Sequence, residues 1–231
     1  AAEHCQRHDR SLRITTECVV PHTVDPSVFS KRIKLLAEDS DGLILVAREH
    51  PAINNAVREV IRTGTPVICL TSDLPSSGRT AYVGSDQFAA GATAGWLCGQ
   101  FLPQNIAQKV LLVSSVPFRC QLDREQGFRQ VLRSEFPSLT IDEKVNSDES
   151  PEITYDAIRR HIAKNGPPAA IYNVSGANLG IGRALQDENL VGKTRFLGHE
   201  LNANSRKLLE DGIMDLTIGH DFDQEMSIAA R

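Results

Sequence analysis

The sequence predicts an α/β fold of two Rossmann-like, doubly wound parallel-sheet lobes, on three observations. Short apolar or β-branched runs such as GLILV, PVICL, KVLLVS and AAIY alternate with amphipathic stretches of about ten residues or more. These runs are nearly continuous rather than alternating with polar residues, as in strands buried on both faces beneath helices. The pattern then restarts after a polar, Pro-containing stretch at 102–108.

In chain order, Leu12–Val20 reads as a strand and Pro26–Glu38 as a helix. Gly42–Val46 is the next strand, and Pro51–Thr63 a helix with apolar residues at helical spacing. Pro66–Leu70 is a strand followed by a turn-rich segment, Thr71–Gly78. Tyr82–Val83 is a short strand, and Gln87–Phe101 a helix of small residues suited to close packing on a sheet. In the second half, Lys109–Ser114, Leu139–Val145, Ala169–Val174, Arg195–Leu197 and Ile213–Ile218 read as strands. Between them lie helices at Asp123–Phe136, Ile153–Lys164, Leu179–Asn189 and Ala203–Asp211. This division predicts a first lobe from 1–102 with 220–231 and a second from 103–219. Ligands of open α/β sheets bind beyond the carboxyl ends of the strands, so the facing rims of two such sheets predict a crevice for a small molecule.

Composition narrows the function. The 231 residues are 41% hydrophobic and 23% charged, enough for a sizeable core. A net charge of −4 gives this stretch no electrostatic footprint for nucleic acid. The cysteines at 5, 18, 69, 98 and 120 show no CxxC spacing, and their odd number with Cys69 and Cys98 in apolar settings reads as reduced, buried thiols. That favours the cytoplasm. No signal peptide opens the chain and no apolar run reaches the length of a membrane span. The chain opens and closes inside expected helices, like a domain incomplete at both ends.

Catalytic signatures are missing. Gly176, Gly180 and Gly182 have the wrong spacing for a dinucleotide loop, and there is no P-loop and no GxSxG elbow. His4, Cys5 and His8 share a helical face but lack further ligands, so neither metal nor cofactor is expected. No nucleophile, base and orienting group assemble, and the chain reads as a non-enzyme. Polar residues gather after the strands instead: Ser72 and Asp73, Ser114 and Arg119, Asn173 and Asn178, Glu200 and Asn202, His220 and Asp221. Such residues match the donors and acceptors of a neutral polyol, and aromatic rings such as Phe118 and Phe222 suit the apolar face of a sugar.

A series of motifs carries a resemblance. Arg124-Glu125-Gln126-Gly127-Phe128 resembles the RxxGF motif of the LacI/GalR regulators and of the ribose-type periplasmic binding proteins. Val83-Gly84-Ser85-Asp86 followed by Gly91 resembles the family's VxxD…G helix entry, and Leu179-Gly180 with Arg183-Ala184-Leu185 its ALGAxRAL helix. Phe196-Leu197-Gly198-His199-Glu200 stands where VVGYDD is usual, and Thr217-Ile218-Gly219-His220-Asp221-Phe222 resembles TIxQDF. The motifs run in register over nearly the whole chain. The resemblance implies a type I periplasmic-binding-protein-like fold with a sugar or sugar-like metabolite held between its lobes.

By matching position, Arg124 grips ligand hydroxyls, Glu200 takes the place of an acceptor aspartate, and His220 that of a glutamine on the last crossover. Asp86 caps its helix and lies near ligand, and Ser72 lies on the same rim. The asparagine after the AAIY strand corresponds to Asn173, although alignment on Leu179-Gly180 places Val174 there. Surface pairing of Arg124 with Asp123 and helix capping by Glu200 are the plain alternatives. The resemblance implies the effector-binding domain of a LacI-type transcriptional regulator, a homodimer meeting operator DNA through a helix-turn-helix outside this chain, with no membrane partner. The alternative is a periplasmic sugar-binding protein of an ABC transporter, and a Rossmann-type enzyme comes third for want of its phosphate loop.

Overall fold

The computed structural model describes residues 13–17, 24–115 and 118–231. Helix α1 (Pro26–Glu38) starts where Asp25 accepts the Ser27 N–H at 2.7 Å and Pro26 supplies a fixed φ at the first helical position. It leads to β1 (Leu43–Leu45), α2 (Pro51–Arg62), β2 (Val67–Leu70), a 3₁₀ turn at Pro75–Ser77 and β3 (Ala81–Val83). Then follow α3 (Gln87–Phe101), β4 (Gln108–Ser114), α4 (Arg119–Glu135), β5 (Leu139–Asn146), α5 (Pro151–Asn165), β6 (Ala170–Asn173) and α6 (Asn178–Asp187). Strand β7 (Arg195–His199), α7 (Ala203–Glu210), β8 (Leu216–Ile218) and α8 (Phe222–Ala229) complete the order. The strand expected at Leu12–Val20 lies partly outside the described residues, and 13–17 carry no regular structure.

Both sheets are parallel throughout. The first has the order β1-β2-β3 and the second β5-β4-β6-β7-β8. In β4, Val110 and Leu112 belong to a core with Phe128, Tyr172 and Leu197, whereas Leu111 and Val113 belong to another with Ile158, Ile171, Ile181 and Phe196. A strand covered on both faces has no room for polar residues, which is why it reads as an unbroken apolar run. The first sheet is likewise lined on one side by Ile33, Ile53, Val57, Val67 and Cys69, while Leu70 packs with Met226 of α8.

The chain forms two compact units. The first holds Ala1–Ser85, Pro117–Cys120 and Asp221–Arg231, and the second Asp86–Val116 and Gln121–His220. This corrects the expected division, which put α3 in the first lobe. Ala94, Cys98 and Leu102 instead bury against Val110, Phe128 and Tyr172 of the second unit. A Cβ at Gly91 would lie 1.9 Å from the Arg124 carbonyl oxygen and one at Gly127 2.1 Å from that of Phe88, so the backbones of α3 and α4 touch where both residues lack side chains. Cys69 and Cys98 are free and buried, as their apolar settings in the sequence predict, and Cys120 is buried as well.

Candidate functional site

The carboxyl ends of the strands are set apart by their backbone. Thr71 after β2, Asp148 and Glu149 after β5, Ala177 after β6 and Glu200 after β7 all have positive φ without being glycine. At the opposite ends, the positive-φ residues that precede strands are mostly glycines, such as Gly166 and Gly212, with Asn189 the non-glycine among them. Non-glycine residues in this region carry strain and persist where surrounding contacts enforce them, a pattern concentrated at functional sites. For Glu200 the enforcing contacts are explicit. Its N–H donates to the Ile218 carbonyl at 3.0 Å, and its own carbonyl accepts from Asn202 N–H at 3.1 Å and Ser205 Oγ at 2.5 Å.

In the second unit the side chains of Arg124, Glu200 and His220 meet. Arg124 is 4% exposed, too buried for a surface pairing with Asp123. Its Nε donates to Gln87 Oε1 at 2.7 Å, Nη1 to the Val174 carbonyl at 3.1 Å and Nη2 to Glu200 Oε1 at 3.2 Å. Each terminal nitrogen keeps a second N–H that no described residue accepts. His220 Nε2 lies 3.1 Å from Glu200 Oε2. Burial opposes the Glu200 charge, but the His220 hydrogen bond and the Arg124 guanidinium outweigh it and lower its carboxyl to about 2. Helix α7 is capped by Asn202, not Glu200, in a capping box with Ser205.

Behind this cluster, the Tyr172 hydroxyl lies 2.8 Å from His199 Nε2, and the Tyr172 ring stacks on Phe128 with centroids 4.1 Å apart. Burial, then the Arg124 charge, holds His199 well below its ordinary value, so it is neutral. Burial likewise raises the Tyr172 phenol. A second polar cluster ties the loops after β4, β5 and β6. Gln121 Nε2 donates at 2.9 Å to both Ser115 Oγ and Glu149 Oε1, and Gly176 N–H donates to Glu149 Oε2 at 2.9 Å.

The other expected site residues divide. Asp86 is exposed and caps α3, accepting the Ala89 N–H at 2.9 Å. Asn173 departs from expectation. Its Nδ2 donates to the Gly176 carbonyl at 2.5 Å and to Asn178 Oδ1 at 2.7 Å, while its Oδ1 accepts from the Ser175 N–H and Oγ. With both donors and both lone pairs committed, Asn173 shapes its own loop and keeps nothing for a ligand. Val174, the other residue left open by the motif register, faces Arg124 through its carbonyl.

Ser72, Phe118 and Phe222 belong to the first unit. Ser72 is 1% exposed and accepts from the Cys120 N–H at 3.5 Å, a long contact. Phe118 is buried, which fits core packing, whereas Phe222 is 43% exposed at the first turn of α8. His4, Cys5 and His8 lie outside the described residues, among which no group of three or more His, Cys, Asp or Glu side chains gathers to hold a metal ion. The sequence reading missed Gln87 and Tyr172, although Gln87 stands beside Asp86 in the helix-entry motif, and it counted His199 only among the polar residues that follow strands.

The chain has known relatives. The family model for the periplasmic binding protein domain matches residues 4–231. The ABC transporter periplasmic-binding protein YphF of Escherichia coli (strain K12) is 24% identical over 192 residues, 77% of this chain and 56% of that protein. The chain thus spans little more than half of that relative's length. The solved XylFII molecule aligns with a TM-score of 0.87 at 21% identity, covering 99% of this chain and 83% of its own. GanP, a glucose-galactose binding protein from Geobacillus stearothermophilus, gives 0.86 at 19% identity over 99% of this chain and 82% of its own. At such identities the structural likeness establishes the fold. Matched over nearly its whole length, the chain belongs to the periplasmic binding protein domain family.

Proposed function

We propose that this chain binds a neutral sugar and serves as the recognition domain of an ABC-type uptake system, without catalytic turnover. The observation that carries the reading is the Arg124–Glu200–His220 cluster. Arg124 and Glu200 neutralise each other, yet the guanidinium retains N–H donors and the carboxylate unused lone pairs. A hydroxyl, which both donates and accepts, complements that pair, whereas an ionised ligand would bring a charge that the already balanced pair leaves unpaired. The relatives named above support the transport setting: one is called an ABC transporter periplasmic-binding protein, another a glucose-galactose binding protein. Neither name is that of a regulator, so the effector-domain reading, with its homodimer and operator DNA, rests on the motif resemblance alone.

The cysteines do not oppose an exported protein. Burial pushes the Cys69 thiol up to about 11 and that of Cys98 up to about 12, which leaves little of the reactive thiolate. Among the described residues no helix is long and apolar enough to cross a membrane. Cell fractionation separates the transport reading from the cytoplasmic regulator.

Calorimetry and thermal unfolding with D-glucose, D-galactose and a panel of neutral pentoses and hexoses test the binding itself. At a hundredfold excess over Kd, a bound sugar adds about 2.7 kcal/mol to stability, a rise of several degrees in Tm. Arg124→Ala is expected to weaken binding at least about 30-fold, because it leaves Glu200 without its buried partner. Failure of every neutral sugar to bind overturns the proposal.

A further inference from the structure

The contacts behind Arg124 concern a residue outside the expected site. Gln87 is the first residue of α3, immediately after the capping Asp86, and is 6% exposed. It lies four positions before Gly91, and Arg124 lies three before Gly127, the glycines at which the α3 and α4 backbones touch. That crossing brings the Gln87 and Arg124 side chains face to face. Gln87 Oε1 accepts the Nε–H at 2.7 Å, shorter than either bond made by the terminal nitrogens. The planar guanidinium is therefore held on its Nε side by Gln87, at Nη1 by the Val174 carbonyl and at Nη2 by Glu200. Two of these three acceptors carry no charge.

We infer that Gln87 is the positioning residue that aims Arg124, and that its neutral carboxamide makes the cluster selective for uncharged ligands. The second half rests on the sugar-binding reading proposed above; the first half does not. An orienting group at this position needs an acceptor oxygen within reach of Nε, and Gln and Glu both supply one. A glutamate would turn the balanced Arg124–Glu200 pair into a site with net negative charge. The acceptor oxygen sets the direction of the guanidinium and the charge of that group sets the ligand class, so one residue governs both.

Three variants of the full chain separate these roles. Without ligand, the Arg124 Hε resonance, assigned by its disappearance in Arg124→Lys, is expected to be protected from solvent exchange. Gln87→Leu should speed that exchange at least about tenfold, and Gln87→Glu should restore protection; loss of a purely structural residue would not be rescued in this way. Unchanged Hε exchange in Gln87→Leu overturns the positioning role. Should Gln87→Leu fail to fold, Gln87→Asn, one methylene shorter, replaces it with the same expected outcome.

The selectivity arm uses calorimetry with D-galactose and D-galactosamine, which differ by a hydroxyl against an ammonium. The ratio of their affinities should move about tenfold towards the amino sugar in Gln87→Glu, the scale of one added charge at this range. An unchanged ratio overturns the selectivity role. If neither these nor any other sugar of the panel binds the unaltered protein, the sugar-binding reading and the selectivity role fall together, and Hε exchange still decides whether Gln87 aims Arg124.

Discussion

His199 and Glu200 are consecutive, and their surroundings move both below their ordinary pKa values, so both respond to acid in the same sense. His199 is kept neutral by burial and by the Arg124 charge. Glu200 is kept ionised, against its own burial, by His220 and Arg124. Each group binds fewer protons folded than unfolded, so each makes stability rise with pH. The His199 contribution is fully present above about 6.5, the ordinary histidine value, and is lost as pH falls below it. The Glu200 contribution is present above the ordinary carboxyl range and is lost as pH falls towards about 2. Urea unfolding midpoints are therefore expected to fall between pH 7 and pH 5. His199→Gln, which keeps a polar partner for Tyr172, should flatten that limb while leaving the more acidic one in place. An unaltered slope in that variant would refute the buried neutral imidazole. Arg124, Glu200 and His220 were legible as candidates because the motif resemblance gives each of them a role. Gln87 was not, because its partner lies 37 residues away and only the helix crossing joins them. Asn173 misled for the converse reason: a polar residue after a strand looks the same whether it serves a ligand or its own loop.

Among the elements, the pair α3 and α4 decides where the site stands, and glycines decide how closely the pair packs. An added Cβ meets the Arg124 carbonyl oxygen at 1.9 Å from Gly91 and the Phe88 carbonyl oxygen at 2.1 Å from Gly127, both backbone atoms that cannot step aside. At Gly95 the nearest atom, the Phe128 carbonyl oxygen, is 3.0 Å away, where a small adjustment suffices. Gly127→Ala is thus expected to cost about 1–3 kcal/mol and to weaken the proposed sugar binding by separating Gln87 from Arg124, whereas Gly95→Ala should be milder in both respects. Chemical denaturation with calorimetry measures the order, and equal losses at the two positions would contradict it. The extent of α3 was legible from its small residues, but its unit was not. Trp96 is 51% and Phe88 38% exposed, so apolar residues lie on the outer as well as the inner face and the pattern does not say which sheet the helix covers. Strand β5 hid a similar feature. Its register against β4 shifts between the Ile141–Val110 and Lys144–Leu112 pairs, after which Lys144 pairs with Glu125 of α4 and Val145 packs with the core that contains Ile158 of α5. Such an irregularity reverses which face a side chain occupies and breaks the period-2 signal on which strand recognition depends.

For the molecule as a whole, the two units differ in how much sheet each buries. In the second unit the central strands β4, β6 and β7 place Leu111, Leu112, Ile171, Tyr172, Phe196 and Leu197 at 0% exposure, divided between cores on opposite faces. Among the described residues of the first unit the three strands are short and β1 and β3 are only partly buried, so fewer of these backbone amides are shielded from water. Amides open locally wherever buried apolar contact is sparse, and they approach the free energy of global unfolding only where it is dense. The slowest hydrogen exchange is therefore expected in β4, β6 and β7, with β1 and β3 exchanging at least about tenfold faster, a difference of about 1.4 kcal/mol in opening free energy. In dilute urea the exchange of β1 and β3 should be nearly independent of denaturant, as for small local openings. That of β4 should follow the global unfolding curve. Native-state exchange read by mass spectrometry or NMR resolves the two classes. If β1 amides outlast those of β4, the second sheet is not the stable frame on which Arg124, Glu200 and His220 are mounted.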